Sequence, residues 1–237
     1  MRKILYNASV KASSETGTAM KTLAILGGTG KEGAGLAMRW ALKGYQVVIG
    51  SRDESRAKTR AAEMNTELGG DYLQGMANIA AAAAADIVIL SVPYSAHKLT
   101  LEGVREACRG KVLVDLTVPL RPPEIMAVNL PAGGAAALEA QELLGADVTV
   151  VAAFQNVSAV KLRQLDRAVD CDVLVCADSE TAKAAASDLV AAAGMRAIDA
   201  GPLKNAVAAE SLTPILLHIN RAYKVKGAGI RITGLDG

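Results

Sequence analysis

Aromatic residues are scarce in this sequence. They make up 3% of its 237 residues, whereas hydrophobic residues of all types reach 51%. Alanine, valine and leucine must therefore do most of the packing, which suits helices that lie closely on a parallel sheet. The composition favours an α/β protein, and the length suffices for one large domain or for one domain with an appendage.

Several signals of other protein classes are also missing. The formal net charge is only +2, which does not indicate a nucleic-acid partner. Cys108, Cys171 and Cys176 have no CxxC spacing and no histidine cluster near them, so we expect no metal site and three reduced thiols. Because no run of 18 apolar residues without a charge occurs, no membrane helix is expected either. Together these features predict a cytoplasmic protein.

The first twenty residues differ in composition from the rest. Residues 1–7 are charged but lack the apolar stretch of a signal peptide, and residues 11–18 are small and polar. We therefore expect a disordered tail over residues 1–20. Met20, directly before the first apolar run, is a candidate for the natural start.

A glycine-rich turn follows the first predicted strand. The apolar run 23–26 leads into a GxGxxG motif, and the helix-forming stretch 34–42 comes next. In this context the first glycine permits a tight turn, the second lets the backbone approach a pyrophosphate, and the third lets helix and strand pack closely. A mere turn is the alternative in a chain with 22 glycines. The strand and helix context favours a dinucleotide site at Gly28, Thr29, Gly30, Lys31, Glu32 and Gly33.

The end of the second predicted strand indicates which dinucleotide binds. About 20 residues beyond the glycines, an NAD enzyme has an acidic residue for the ribose hydroxyls. Ser51 and Arg52 stand at that place, and Arg56 follows one helical turn later. A hydroxyl and a guanidinium suit a 2′-phosphate, so the pattern predicts NADP rather than NAD. The alternative is that both arginines merely solvate the start of a helix.

Helix and strand signals alternate along the rest of the chain, as a doubly wound sheet requires. Buried strands are predicted over 87–92 and 111–117, and shorter ones over 148–153, 173–177 and 196–199, before an apolar helix over 211–220. Ligands of open parallel sheets lie beyond the carboxyl ends of the strands. The nicotinamide should therefore be bordered by Ser91, Val92, Pro93, Val118 and Pro119.

Five short segments together carry a family resemblance. They are Leu-Gly-Gly-Thr-Gly at 26–30, Gly-Ser-Arg at 50–52, Val-Pro at 92–93, Asp-Ala-Gly-Pro-Leu at 199–203 and Glu-Ser-Leu-Thr-Pro at 210–214. Over roughly residues 21–232 the chain resembles the NADPH-dependent F420 reductases, also called F420H2:NADP oxidoreductases. The resemblance implies hydride transfer between NADP(H) and the 5-deazaflavin coenzyme F420. It also implies a 2′-phosphate bound by Thr29, Ser51, Arg52 and Arg56.

The resemblance further implies a domain organisation and an assembly. A Rossmann-type NADP-binding domain, with a doubly wound, mostly parallel sheet, would cover residues 21–200. A small C-terminal helical segment, residues 201–237, would support a homodimer. The apolar character of the helix over 211–220 agrees with this, because such a surface calls for a cover.

The resemblance places a deazaflavin-facing loop at residues 152–159. Some relatives have a histidine in place of Gln155 and a proline in place of Ser158. Gln155 can still donate a hydrogen bond to a ring carbonyl or accept one from a ring N–H. The expected contacts are Ala153 beside the nicotinamide and, for the second substrate, Tyr94, Gln155, Asn156 and Val157.

The expected chemistry needs no general acid or base from the chain. Hydride passes directly when the two rings stack about 3 to 3.5 Å apart, so catalysis rests on proximity and orientation. We therefore assign no catalytic side chain. His97 should lie near the cleft and His218 in the core or a dimer interface, while Tyr94 and Phe154 are candidate neighbours of a ring.

Two other functions remain open at this point. The chain could use NADPH to reduce a free flavin or a small carbonyl or imine, or it could be a non-catalytic NADPH-binding regulator. Imine and carbonyl reductases of similar architecture usually add a large helical domain. Only about 35 residues follow Gly201 here, which is too few for such a domain.

Overall fold

Six parallel strands form the central sheet of the computed structural model, which describes residues 21–235. The spatial order of the strands is β3-β2-β1-β4-β5-β6, and all five neighbouring pairs are parallel. This is the order of a dinucleotide-binding fold, so the predicted α/β class is confirmed. The tail predicted over residues 1–20 lies outside the described residues. The strands are β1 (Thr22–Leu26), β2 (Gln46–Ser51), β3 (Leu73–Ala77), β4 (Ile87–Leu90), β5 (Val112–Asp115) and β6 (Thr149–Ala152).

Helices cover both faces of this sheet. Alternate residues of β1 point to opposite faces, so Leu23 and Ile25 pack with α1, α2 and α7, whereas Ala24 and Leu26 pack with α3, α4 and α5. None of the helices between residues 21 and 235 is long and apolar enough to cross a membrane. The helices are α1 (Lys31–Leu42), α2 (Glu54–Leu68), α3 (Asn78–Ala84), α4 (Tyr94–Val104), α5 (Ala136–Leu144), α6 (Ala159–Leu162), α7 (Glu180–Ala192) and α8 (Ala206–Ala222).

The last two strands form a small sheet of their own. β7 (Asp172–Val175) and β8 (Arg196–Asp199) pair in parallel with each other. Among the described residues, an antiparallel bridge between Ala152 and Cys176 links this pair to the main sheet by hydrogen bonds. The fully buried carboxylate of Asp172 holds this sheet together, because it accepts two hydrogen bonds from Arg196, at 2.9 and 2.6 Å. The alternating sequence pattern found both strands but not their separation from the main sheet.

A buried arginine joins α1 to the segment after α6. Arg39 is 7% exposed, and its guanidinium donates to the backbone carbonyls of Leu162, Gln164, Arg167 and, with a longer bond, Lys161. A further bond reaches the carbonyl of Ala193 just after α7. Lys161 and Leu162 end α6, Ala193 is the C-cap of α7, and Gln164 and Arg167 lie in the turns after α6, so one side chain gives donors to carbonyls at two helix ends and the turns between them.

A buried glutamate anchors α8 to the start of α5. The carboxylate of Glu210, which is 2% exposed, accepts hydrogen bonds from the backbone N–H groups of Ala136 (2.7 Å) and Ala137 (3.0 Å). These are first-turn amides of α5, which have no acceptor within their own helix. Burial nevertheless raises the pKa of Glu210 from 4.5 to about 8; the nearby Asp115 adds to the rise, while the two amide bonds and His97 oppose it. Glu210 is therefore largely protonated at neutral pH.

This raised pKa makes the stability of the fold depend on pH. Between pH 4.5 and about 8 the folded chain retains a proton on Glu210 that the unfolded chain releases. The free energy of unfolding should therefore fall as pH rises through this window, by up to about 1.4 kcal/mol per pH unit from this group. Glu210→Gln, which stays neutral, should show a flatter dependence in urea unfolding at pH 5 to 8. The exposed Glu142→Gln is the control, and equal slopes for all three proteins would contradict this account.

Candidate functional site

The turn between β1 and α1 depends on glycine at two adjacent positions. Gly27 has a φ of +81°, and a Cβ there would lie 2.3 Å from the carbonyl oxygen of Ser91. At Gly28 a Cβ would lie 2.9 Å from the carbonyl oxygen of Ile25. The left-handed residue of the turn is thus Gly27, one position before the GxGxxG motif, rather than Gly28 as the motif suggested. The adjacent glycines Gly27 and Gly28 in the sequence could have indicated that the left-handed position lies at Gly27.

The other two glycines of the motif have different surroundings. A Cβ at Gly33 would lie 3.0 Å from the Cα of Gly28 and 3.2 Å from both Ile25 Cγ2 and Ser91 Oγ, so the helix sits close against the strand ends. A Cβ at Gly30 would meet only the carbonyl oxygen of Gly27, at 3.3 Å. The turn is therefore packed tightly on its inner side and open on its outer side at Gly30.

The open side of the turn is also the N-terminus of α1. Gly30 occupies the N-cap position and has no side chain to bond the first amides of the helix. Such amides, with the positive end of the helix dipole, form a ready anion site. Burial raises the pKa of the first-turn acid Glu32 to about 8 although part of its surface is accessible, so it carries little negative charge at neutral pH. Lys31 beside it is exposed.

A cleft of about 350 Å³ lies between the glycine turn and α2. Two of the predicted phosphate ligands, Thr29 and Arg56, are on its wall. Ser51 ends β2 next to this region, and the exposed Arg52 follows it, but neither lines the cleft itself. The lining residues are Thr29, Ser55, Arg56, Thr59, Arg60 and Glu63.

Asp53 has a structural role at the entrance to α2. It is the N-cap residue, and its Oδ1 accepts from the backbone N–H groups of Ser55 (2.9 Å) and Arg56 (3.3 Å) and from the Ser55 hydroxyl (2.6 Å). The Ser55 hydroxyl and then the Arg56 amide hold its pKa below the usual value. The carboxylate at this position therefore caps α2.

The ends of β4 and β5 lie at the same edge of the sheet as the turn. The added Cβ of Gly27 would come within 2.7 Å of Val92 Cγ1, so the segment Ser91–Val92 borders the turn directly. Pro93 is the N-cap residue of α4. Beyond β5, Val118 and Pro119 line a small cavity together with Glu210 and Pro214 of α8. The predicted strand-end residues are thus grouped along one edge, between the glycine turn and α8.

Most of the loop after β6 belongs to the core. Ala153 and Phe154 are fully buried, and Val157 is 8% exposed. The Phe154 ring packs edge-on against the ring of Trp40 with centroids 5.8 Å apart, and its backbone φ is +73°. The expected contact of Phe154 with a bound ring is therefore corrected. Its ring already has an aromatic partner inside the protein.

The side chain of Asn156 is also engaged inside the protein. It is 3% exposed, and its Nδ2 donates to the backbone carbonyl of Asp172 (2.7 Å) and to Cys171 Sγ (3.2 Å). The structure thus turns this amide toward β7 and away from the edge formed by β4 and β5. Its expected contact with a second substrate through the side chain is corrected for this reason.

Gln155 retains an unused acceptor. Gln155 is 3% exposed, and its side-chain Nε2 donates to the backbone carbonyl of Asp115 at 2.8 Å. The backbone carbonyl of Gln155 accepts from Thr213 Oγ1 at 2.6 Å. Oε1 has no hydrogen-bond partner among the described residues. A buried acceptor without a donor costs about 1 to 3 kcal/mol, so this atom is a candidate to receive an N–H group of a ligand.

A buried histidine–aspartate pair lies at the end of β5. His97 Nε2 is 2.7 Å from Asp115 Oδ2, and both side chains are buried. Asp115 Oδ1 accepts from the backbone N–H of Thr117 at 2.9 Å. Burial by itself lowers the pKa of His97, but the hydrogen bond and charge of Asp115 outweigh it and leave the pKa above the usual value. Sequence reasoning missed Asp115, which looked like an ordinary strand residue.

The hydroxyl of Tyr94 is occupied as well. It donates to Glu139 Oε2 of α5 at 2.8 Å, and burial together with this carboxylate raises the pKa of Tyr94 to about 12. No group of three or more metal-ligating side chains is present within residues 21–235. The arrangement thus offers an anion site at α1, a cationic cleft at α2 and a mostly apolar strand edge.

Three comparisons with known proteins bear on this site. The model of the family described as "NADP oxidoreductase coenzyme F420-dependent" matches residues 22–119, which include the glycine turn, α2 and the ends of β4 and β5. In fold the chain is similar to a hypothetical protein of Sinorhizobium meliloti, with a TM-score of 0.64, 21% identity, and coverage of 81% of this chain and 88% of the other. It is also similar to an Aspergillus terreus reductive aminase, with a TM-score of 0.59, 17% identity, and coverage of 86% and 62%.

Two archaeal relatives match nearly the whole chain. The "F420-dependent NADP reductase" of Methanothermobacter thermautotrophicus is 41% identical over 220 residues, which cover 90% of this chain and 95% of the relative. The protein of the same name from Methanocaldococcus jannaschii is 40% identical over 225 residues, covering 90% and 99%. At this identity and coverage, the chain belongs to the family of F420-dependent NADP reductases.

Proposed function

We propose that this chain is an oxidoreductase that transfers a hydride between NADP(H) and coenzyme F420. The observation that carries the proposal is the identity of 40 to 42% with three archaeal proteins named F420-dependent NADP reductase, over 90% of this chain. The match extends beyond the nucleotide-binding half into α8, so it concerns the whole site.

The described residues fit NADP(H). The uncapped N-terminus of α1 beside Gly30 suits the pyrophosphate, and the cleft with Thr29 and Arg56 suits the 2′-phosphate. The largely protonated Glu32 spares the pyrophosphate a repulsive charge. We propose dinucleotide binding by Gly28, Thr29, Gly30, Lys31, Glu32, Gly33, Ser51, Arg52 and Arg56, with Ser91, Val92, Pro93, Val118 and Pro119 toward the nicotinamide. Ala153 is left out of this set, because it is fully buried in the core.

The work of the chain in this reaction is to orient two flat rings. When NADP(H) and F420 are bound, hydride passes between nicotinamide C4 and deazaflavin C5, and the chain needs to supply only position and a dry surface. Apolar residues at the ends of β4 and β5 supply that surface. The unpaired Oε1 of Gln155 is proposed to accept an N–H group of a bound ring, since no described residue donates to it.

Mixing the purified protein with NADPH and F420 tests the proposal. We expect the deazaflavin absorbance to fall as NADPH is oxidised. Gly30→Val is the matched control: among residues 21–235 a Cβ at Gly30 meets one atom, the carbonyl oxygen of Gly27, so the variant should block the pyrophosphate without disturbing the fold. Oxidation of NADPH by a free flavin or a small imine, but not by F420, would contradict the proposal and favour the alternative substrates.

The cationic end of β2 predicts a preference for NADPH over NADH. Arg52 is exposed and free to bind a 2′-phosphate, and a charged hydrogen bond of this type contributes about 1.5 to 3 kcal/mol. Arg52→Ala should therefore weaken NADPH by about 10- to 150-fold and leave NADH nearly unchanged in titrations of nicotinamide fluorescence. Lys43→Ala, which removes an exposed charge at the other end of α1, is the control. Equal losses for both nucleotides would refute this role.

We further propose that the enzyme is a homodimer that covers part of α8, with residues 21–200 as the nucleotide-binding domain and residues 201–237 as the dimerisation segment. Ile215 on α8 is 45% exposed and Tyr223 just after it is 75% exposed, which leaves apolar surface for a second copy. Sedimentation at micromolar concentration should show a dimer, and Ile215→Glu should shift it toward monomer. A wild-type monomer under these conditions would rule out the assembly.

We also propose a cytoplasmic location. The three buried free cysteines suit it.

A further inference from the structure

The cleft beside α2 contains a second arginine that the sequence pattern did not select. Arg60 lies four residues after Arg56, so the two side chains share one face of the helix. Long helical side chains lean toward the N-terminus of their helix. Both arginines line the same cleft as Thr29 of the glycine turn.

The guanidinium of Arg60 is held on one side and unused on the other. Nη1 donates to Glu63 Oε2 at 2.7 Å, and the side chain is only 28% exposed. The Nε atom is buried and has no hydrogen-bond partner among the described residues. A buried donor of a charged group that lacks an acceptor is costly. Arg60 lines the cleft, so an anion bound there would supply the missing acceptor when the side chain turns Nε toward it.

The charges around the cleft favour an anion. Arg56 and Arg60 bring two positive charges to the wall of the cleft and Glu63 one negative charge, and the exposed Arg52 nearby is offset by Asp53 at the N-cap, so the wall carries a net positive charge that favours an anion. A phosphate monoester carries about −1.5 to −2 at neutral pH and can accept from a guanidinium edge. A single arginine with its Nε free offers the N–H geometry that such an oxyanion uses.

We propose that Arg60 is a specificity-determining residue that binds the 2′-phosphate of NADP(H) through its Nε, while Glu63 holds the guanidinium in position. This inference rests on the proposed use of NADP(H). It adds a ligand one helical turn beyond Arg56. The 2′-phosphate is then bound between the glycine turn and two successive turns of α2.

Two nucleotide fragments isolate the contribution of the phosphate. Adenosine 2′,5′-bisphosphate carries the 2′-phosphate, and AMP lacks it. In calorimetric titrations, Arg60→Ala should weaken binding of the bisphosphate by about 10- to 100-fold and change AMP binding less than twofold. Arg60→Lys should restore only part of the loss, because an ammonium is a point charge without the planar fork. Lys58→Ala is the control on the same helix, since Lys58 pairs with Glu54 and does not line the cleft.

Each result separates this inference from the proposed function. If Arg60→Ala weakens both fragments equally, Arg60 contacts the adenosine or supports the fold, and the inference is wrong. If neither fragment is affected while the wild-type protein still prefers NADPH and reduces F420, the inference fails and the proposed function stands. If the wild-type protein does not distinguish the bisphosphate from AMP, the proposed use of NADP(H) fails with it. Thermal unfolding of each variant with and without bisphosphate shows whether a loss of binding reflects a loss of folding.

Discussion

The close approach of the glycine turn to the end of β4 is the constraint on which the nucleotide half of the site depends. At Gly27 a Cβ would lie 2.3 Å from the Ser91 carbonyl oxygen, and at Gly33 one would lie 3.0 Å from the Cα of Gly28. Backbone therefore meets backbone on the inner side of the turn. Because nothing intervenes there, α1 begins directly above the strand ends, and its free amides face outward at Gly30.

A buried carboxylate organises the other half of the same edge. Asp115 bonds His97 and the amide of Thr117 through its side chain, and its carbonyl accepts from Gln155 Nε2. Three segments that are distant in sequence, the start of α4, the end of β5 and the loop after β6, thus converge on one residue. Removing one partner of a buried charged pair usually costs several kcal/mol, so these contacts restrict how the edge can move. The acceptor Gln155 Oε1, which has no partner among residues 21–235, lies within this arrangement.

The sequence predicted what local patterns encode. The strand, the glycine turn and the helix that follows are adjacent in the chain, so their periodicity and their glycines identified the fold and the start of the nucleotide site. These features depend on neighbours within about one helical turn.

The features that the sequence missed depend on contacts between distant residues. β7 and β8 pair with each other because Arg196 reaches the buried Asp172, and no local pattern reports that choice of partner. Asn156 resembled a loop amide available to a ligand, yet it bonds the carbonyl of Asp172. Arg60 resembled an ordinary solvated charge, and only the burial of its Nε beside the cleft distinguishes it.

The central claim is that hydride passes directly between two rings that the chain holds face to face. The most direct test follows a label: NADPH carrying deuterium at the transferred position of C4 is incubated with the enzyme and F420 in ordinary water. Direct transfer predicts that the reduced deazaflavin carries the deuterium at C5 without dilution by solvent. Reduced F420 in which the hydrogen added at C5 comes from solvent would contradict direct transfer and with it the account of the site.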